Sequence, residues 1–143
     1  MWRRCILLLM AWSFTGMQSS VFHTHTTSFF RIKYEKSIRA KDATKVGELL
    51  ETSYAKFKKV FDLPLSGRVD VTMFNSVDRL KWESKIPLFD DGVFRNGKLL
   101  MVSPGIIHGD EKIRSLIARL TSRVVLYELK GCPHWLAECY SVY

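Results

Sequence analysis

The chain predicts an α+β domain: a small mixed or antiparallel sheet with an N-terminal helix, followed by two C-terminal helices. Three observations carry this: alternating and helical segments succeed one another without repeats or low-complexity tracts; an Asn96-Gly97 dipeptide sits between two apolar runs; and from Ile113 onward apolar residues recur at helical spacing. A length of 143 residues suits one domain with a sizeable core. A composition of 47% hydrophobic and 25% charged residues is that of a globular chain and excludes a disordered one.

The elements follow in order. The opening M-W-R-R-C-I-L-L-L-M-A-W joins a basic pair to an apolar run from Cys5 to Trp12, too short to span a bilayer, so residues 1–20 read as a signal peptide and residues 21–143 as the mature domain. Val21 to Ser28 is a Thr- and His-rich connector. Phe29 to Tyr34 alternates and reads as a strand. Asp42 is the expected cap of a helix running to about Phe61, with Val46, Leu49, Leu50, Phe57, Val60 and Phe61 at helical spacing, and Leu63-Pro64 ends it. Val69, Val71 and Met73 alternate in a second strand. A short helical piece spans Asp78 to Glu83, and Ile86-Pro87 breaks it. Gly92–Arg95 and Lys98–Val102 flank Asn96-Gly97 as a hairpin. Asp110 and Glu111 supply acids to the start of the long helix that follows, where the dipole favours them. Lys130-Gly131-Cys132 breaks that helix, and Pro133 opens another through Trp135, Leu136 and Glu138.

Charge and thiols bound the function classes. Loss of residues 1–20 removes Arg3 and Arg4 and no acid, taking the net charge from +8 to +6. The remaining cations are scattered and form no nucleic-acid motif, which argues against a nucleic-acid partner. An exported basic domain meets anionic envelope polymers or lipid headgroups by unspecific attraction, or has a solvated surface with no partner. No segment after the leader is apolar enough to be transmembrane. Cys132 and Cys139 would lie on the order of 10 Å apart on a helix opened by Pro133, beyond disulfide reach, so free thiols or a bond to another chain are expected.

The closing stretch I-R-S-L-I-A-R-L-T-S-R-V-V-L-Y-E-L-K-G-C-P-H-W-L-A-E-C, with the preceding element order, resembles the gluzincin-type zinc metallopeptidases, and among them the bacterial peptidase MA-like domains. The resemblance covers residues 28–143, and its specific part is the P-x-W-L-A-E run after a long helix. In that family an H-E-x-x-H helix is followed by a W-L-x-E-G helix whose glutamate is the third zinc ligand. Here Glu138 holds the glutamate position. The H-E-x-x-H positions read R-L-T-S-R, with Arg119 and Arg123 in place of both histidines and Leu120 in place of the catalytic glutamate. Cys139 replaces the glycine, and the domain is expected to be truncated after the W-L-A-E helix.

H-E-x-x-H works because residues four apart share a helix face, so two imidazoles grip one Zn²⁺ while the glutamate activates the bound water. At about 100° per residue, Arg119 and Arg123 fall on one flank of the apolar face. Arginine stays protonated and offers only donors, so it does not ligate zinc; Leu120 is no base. Glu138 alone is too few, since a catalytic zinc takes three protein ligands. Two arginines four apart repel unless neutralised, and Arg119, Arg123 and Glu138 are expected to form an ion-paired cluster where zinc would have been. That cluster reads either as a structural salt bridge or as a repurposed anion or carboxylate site.

The resemblance thus implies an exported, secreted or periplasmic domain with a lost zinc site: a pseudopeptidase or binding domain with no catalytic or metal residues and no cofactor. Peptides along a retained sheet edge, or an anionic envelope component, are the partners it suggests. The first alternative is a metal-dependent peptidase retaining zinc on unorthodox ligands such as His108, His134 and Glu138. His134 reads equally as a surface residue beside Trp135, and His108 as a loop residue. His23 and His25 would chelate Cu²⁺ or Ni²⁺ only if cleavage fell after Ser20, which Gln18 disfavours. The second alternative is a basic module binding anionic envelope polymers.

Overall fold

A computed structural model of the chain describes residues 22–62, 67–85 and 90–129. The order is β1 (Phe22–Thr26), β2 (Phe30–Glu35), α1 (Ala40–Phe61), β3 (Val69–Phe74), α2 (Val77–Ser84), β4 (Gly92–Arg95), β5 (Lys98–Val102) and α3 (Asp110–Glu128). The five strands form one sheet in the order β1-β2-β3-β5-β4. The inner strands β2, β3 and β5 run parallel, while β1 and β4 pair antiparallel at the two edges. The fold is therefore α+β on a mixed sheet. The expected leader, residues 63–66 and 86–89, and the W-L-A-E run expected as a helix lie outside the described residues.

Alternation assigns the two faces. Ile32, Val71, Leu99 and Met101 are fully buried and point toward α1 and α3, which supply Val46, Leu50, Tyr54, Ile117, Leu120 and Val124 to the same core. Arg31, Asp70 and Lys98 share a lateral row on the opposite face, as do Lys33, Thr72 and Leu100. Among the described helices, α2 alone lies on that side, over Phe74 and Leu100. Burying the aliphatic face of the central strands removes about 1.5–3 kcal/mol of exposed apolar surface per large side chain, which fixes the register, since a one-residue slip would turn that face to water.

Two local expectations are corrected. Val21 to Ser28 is no connector: Phe22–Thr26 is a strand pairing with β2, from Phe22 opposite Glu35 to Thr26 opposite Arg31. It escaped recognition because an edge strand lying half in solvent needs no apolar alternation, and its inward His25 is seated against α1 at Gly47. A Cβ at Gly47 would stand 3.0 Å from the Thr27 methyl and 3.3 Å from the His25 ring. Asp42 does not cap α1. Arg39 occupies the N-cap, its side chain making no capping bond, and the buried Asp42 in the first turn instead accepts from Arg39 Nε at 3.0 Å. The other elements expected within the described residues are present. The hairpin turns through Asn96 (φ 51°) and Gly97 (φ 75°), the left-handed pair that a two-residue turn requires. Ser76 caps α2 by accepting from the Arg79 N–H at 3.2 Å.

Candidate functional site

The R-L-T-S-R positions occupy the middle of α3, and α3 packs beneath the antiparallel edge strand β4. Close approach is possible because β4 begins with glycine. A Cβ on Gly92 would lie 3.0 Å from Leu120 Cδ1, 3.2 Å from Leu116 Cδ1 and 3.3 Å from the Leu100 carbonyl oxygen. Leu120, the residue that the resemblance would set at the peptidases' glutamate position, has 0% exposure and is a core side chain between helix and strand.

Thr121 and Ser122 are also buried, and each satisfies its hydroxyl on its own helix. Thr121 donates to the Ile117 carbonyl at 2.7 Å and Ser122 to the Arg119 carbonyl at 2.8 Å. Neither hydroxyl therefore needs a partner outside α3, which is how a polar pair tolerates burial in mid-helix.

Arg119 and Arg123 are half-buried on the flank of α3, as the helical periodicity requires. Arg119 Nη1 forms an ion pair with Asp90 Oδ2, just ahead of β4. The Asp91 N–H donates to the other Asp90 oxygen at 2.9 Å. Burial pushes the Asp90 carboxyl up. The Arg119 hydrogen bond and charge, the Asp91 backbone N–H and the Arg123 charge outweigh it, and the net direction is down from 3.8. Asp90 is the functional neighbour that the sequence reading lacks: its separation of 29 residues from Arg119 leaves no local spacing to read. The expected third member of the cluster, Glu138, lies outside the described residues.

Beside this pair a shallow cleft of about 310 Å³ is lined by Asp90, Asp91, Lys112, Ser115, Leu116 and Arg119. The free edge of β4 leads away from it. The Val102 N–H donates to the Asp91 carbonyl at 2.9 Å, which makes Asp91 and Val102 a bonded pair. Along the antiparallel ladder the bonded pairs then continue at Val93–Leu100 and Arg95–Lys98. Gly92 and Phe94 therefore turn their N–H and C=O groups outward, and no described strand pairs with them. Phe94 is held from below by Tyr127 of α3, ring to edge at 5.3 Å.

The histidines are dispersed. His108 is exposed just ahead of α3, His25 is half-buried against α1, and His23 is exposed with its ring 5.6 Å from that of Tyr34. His134, Cys132 and Cys139 lie outside the described residues. Among the described residues no three His, Cys, Asp or Glu side chains are grouped to hold a metal, and no helix is long and apolar enough to cross a membrane. Compared with known proteins, the chain matches no family model, no curated protein and no solved structure.

Proposed function

We propose that this is an exported, secreted or periplasmic domain of peptidase MA-like descent that works by binding peptide and performs no hydrolysis. One observation supports it above the rest. At the three helix positions where the family keeps ligand, base and ligand, this chain has an arginine ion-paired to Asp90, a leucine sealed in the core, and a second arginine whose charge also acts on Asp90. A donor-only, permanently charged side chain neither ligates zinc nor accepts a proton from water.

What such a site retains is the means to hold an extended chain. The outward amide groups of Gly92 and Phe94 offer two residues of ladder to an added strand. The cleft by Asp90 and Lys112 lies at the end of that edge and meets the side chains or terminus of a strand so placed. Main-chain bonding of this kind reads extended shape before sequence, which suits a domain that holds peptides without cutting them.

The decisive measurement is metal content together with peptide binding. Protein purified in the presence of zinc and passed through a weak chelator is expected to retain none at stoichiometry and to leave a fluorogenic casein uncut. Unstructured peptides should shift the backbone amide resonances of Gly92 and Phe94, and N-methylated versions of the same peptides should not. Stoichiometric zinc with casein cleavage would establish the alternative, a peptidase on ligands such as His108, His134 and Glu138, and would end this reading.

A further inference from the structure

A second site lies on the opposite face of the sheet, and it is independent of the peptide-binding reading. A groove of about 500 Å³ opens between α2 and the strands β3, β5 and β4. Three cationic side chains line it: Lys85 at the end of α2, Arg95 at the end of β4 and Lys98 at the start of β5. Asn96 and Thr72 add further hydrogen-bond donors, and Glu83 is the single carboxylate. The lining is thus rich in donors and carries a surplus of positive charge.

The fold brings these cations together. Arg95 and Lys98 are the bonded pair that closes the Asn96-Gly97 turn, so both side chains leave the same face of the hairpin. Arg95 Nη1 is anchored on the Ser84 carbonyl, which points the guanidinium toward α2 and leaves its other N–H groups available. Lys85 takes a left-handed backbone conformation, φ 52°, which ends α2 beside the groove. Neither Lys85 nor Lys98 forms an ion pair among the described residues, although Arg31 and Arg79 on the same side of the sheet are paired with Asp70 and Glu35. Three cations against the one carboxylate of Glu83 leave a surplus of like charge in the lining, which is unfavourable, and an acceptor-rich anion reverses the sign of that interaction.

We infer that the groove between α2 and the hairpin binds a phosphate ester, with Lys85, Arg95 and Lys98 around the phosphate and the apolar floor of Phe74 and Leu100 against the organic part. A phosphate matches this lining better than a carboxylate: its several acceptor oxygens answer three cations, and a monoester adds a near-double charge, where a carboxylate answers one fork. The ester is either free in solution or the headgroup of an anionic lipid.

The test titrates the full chain with glycerol 3-phosphate and, separately, with vesicles of phosphatidylcholine containing phosphatidylglycerol. Calorimetry reads the first and co-sedimentation the second. Lys85→Gln and Lys98→Gln are each expected to weaken binding by about tenfold, the loss of one charge-assisted hydrogen bond. Lys59→Gln, on the exposed last turn of α1 and away from the groove, removes the same net charge and should leave affinity within a factor of about two. Binding of both probes with this pattern supports a free phosphate ester as ligand, and binding of vesicles alone supports the lipid headgroup. If neither probe binds, or if Lys59→Gln costs as much as Lys98→Gln, the groove is no phosphate site. All three lysines are exposed, and an unchanged melting temperature in each variant separates lost affinity from lost folding.

Discussion

The contact between Gly92 and Leu120 can be tested by a double-mutant cycle, because its two halves are predicted to be unequal and coupled. Leu120 has 0% exposure, so Leu120→Ala removes three buried carbons. At roughly 0.8 kcal/mol each plus a cavity term, the loss is about 3–4 kcal/mol. Gly92→Ala does the reverse and overfills the joint. Gly92 lies outside the left-handed backbone region, so the cost is purely steric, from contacts of 3.0, 3.2 and 3.3 Å. Overpacking costs about 1–3 kcal/mol. Alanine restores about 0.4–1 kcal/mol by restricting the unfolded chain, leaving a net loss of about 1–2 kcal/mol.

In the double variant the 3.0 Å contact vanishes while those to Leu116 and the Leu100 carbonyl remain. The new methyl partly fills the void, and the combined loss should fall about 1 kcal/mol short of the sum. Urea unfolding followed by far-UV circular dichroism at neutral pH measures all four states, with an unchanged m-value as the check that only stability moved. Additivity within about 0.5 kcal/mol would refute the close approach of β4 to α3. A Leu120→Ala cost below about 1 kcal/mol would mean that this side chain faces an open cleft, as the family's glutamate does.

Two further outcomes concern titrating groups. The Asp90 carboxyl is held below 3.8, so the stability it contributes is present above that value and is lost as pH falls through its lowered folded value. Asp90→Asn should cost about 1 kcal/mol or less near neutrality, because the pair is partly exposed. The gap between wild type and variant should close on acidification, and a gap constant down to strongly acid pH would dismiss the ion pair. Burial first, then the charge and hydrogen bond of Glu128, push the Tyr54 hydroxyl well above 10.0. A raised value means that its contribution is complete below 10.0 and is lost as pH rises beyond it. Tyr54→Phe gives up the 3.1 Å bond to Glu128, about 1 kcal/mol at neutral pH, and should flatten the alkaline decline seen in urea titrations. An equally steep alkaline loss in the variant would assign it to other groups.

Where local chemistry decides structure, the sequence could be read directly. Asn96-Gly97 admits few conformations other than a tight turn, and the periodicity of α3 separates Leu120 in the core from Arg119 on the flank. Val69, Val71 and Met73 show a strand because that strand is covered by helices on its inner face. The parallel pairing of β2, β3 and β5 leaves no local trace, since register between strands joined by a crossover is set by packing. For the same reason β1 hides: its residues are ordinary for a loop, and only Gly47 across the gap reveals the fit. Asp42 has the chemistry of a cap, but the N-cap position falls on Arg39, three residues earlier than a capping role for Asp42 would need. Arg119 invited a neutralising partner, and the described one, Asp90, comes from upstream, where tertiary folding alone delivers it.

The burial of Leu120, Thr121 and Ser122 bears on reversibility. For a chain with the proposed ancestry, restoring a glutamate at position 120 would put a carboxylate among Leu116, Gly92 and the closed hydroxyls of α3, with no described cation directed at it. An unpaired buried charge costs several kcal/mol, a large share of a small domain's whole stability. Single reversions would therefore pass through poorly folded intermediates. Selection on a chain of that descent could explore its edges and grooves far more readily than it could recover a carboxylate in this sealed core.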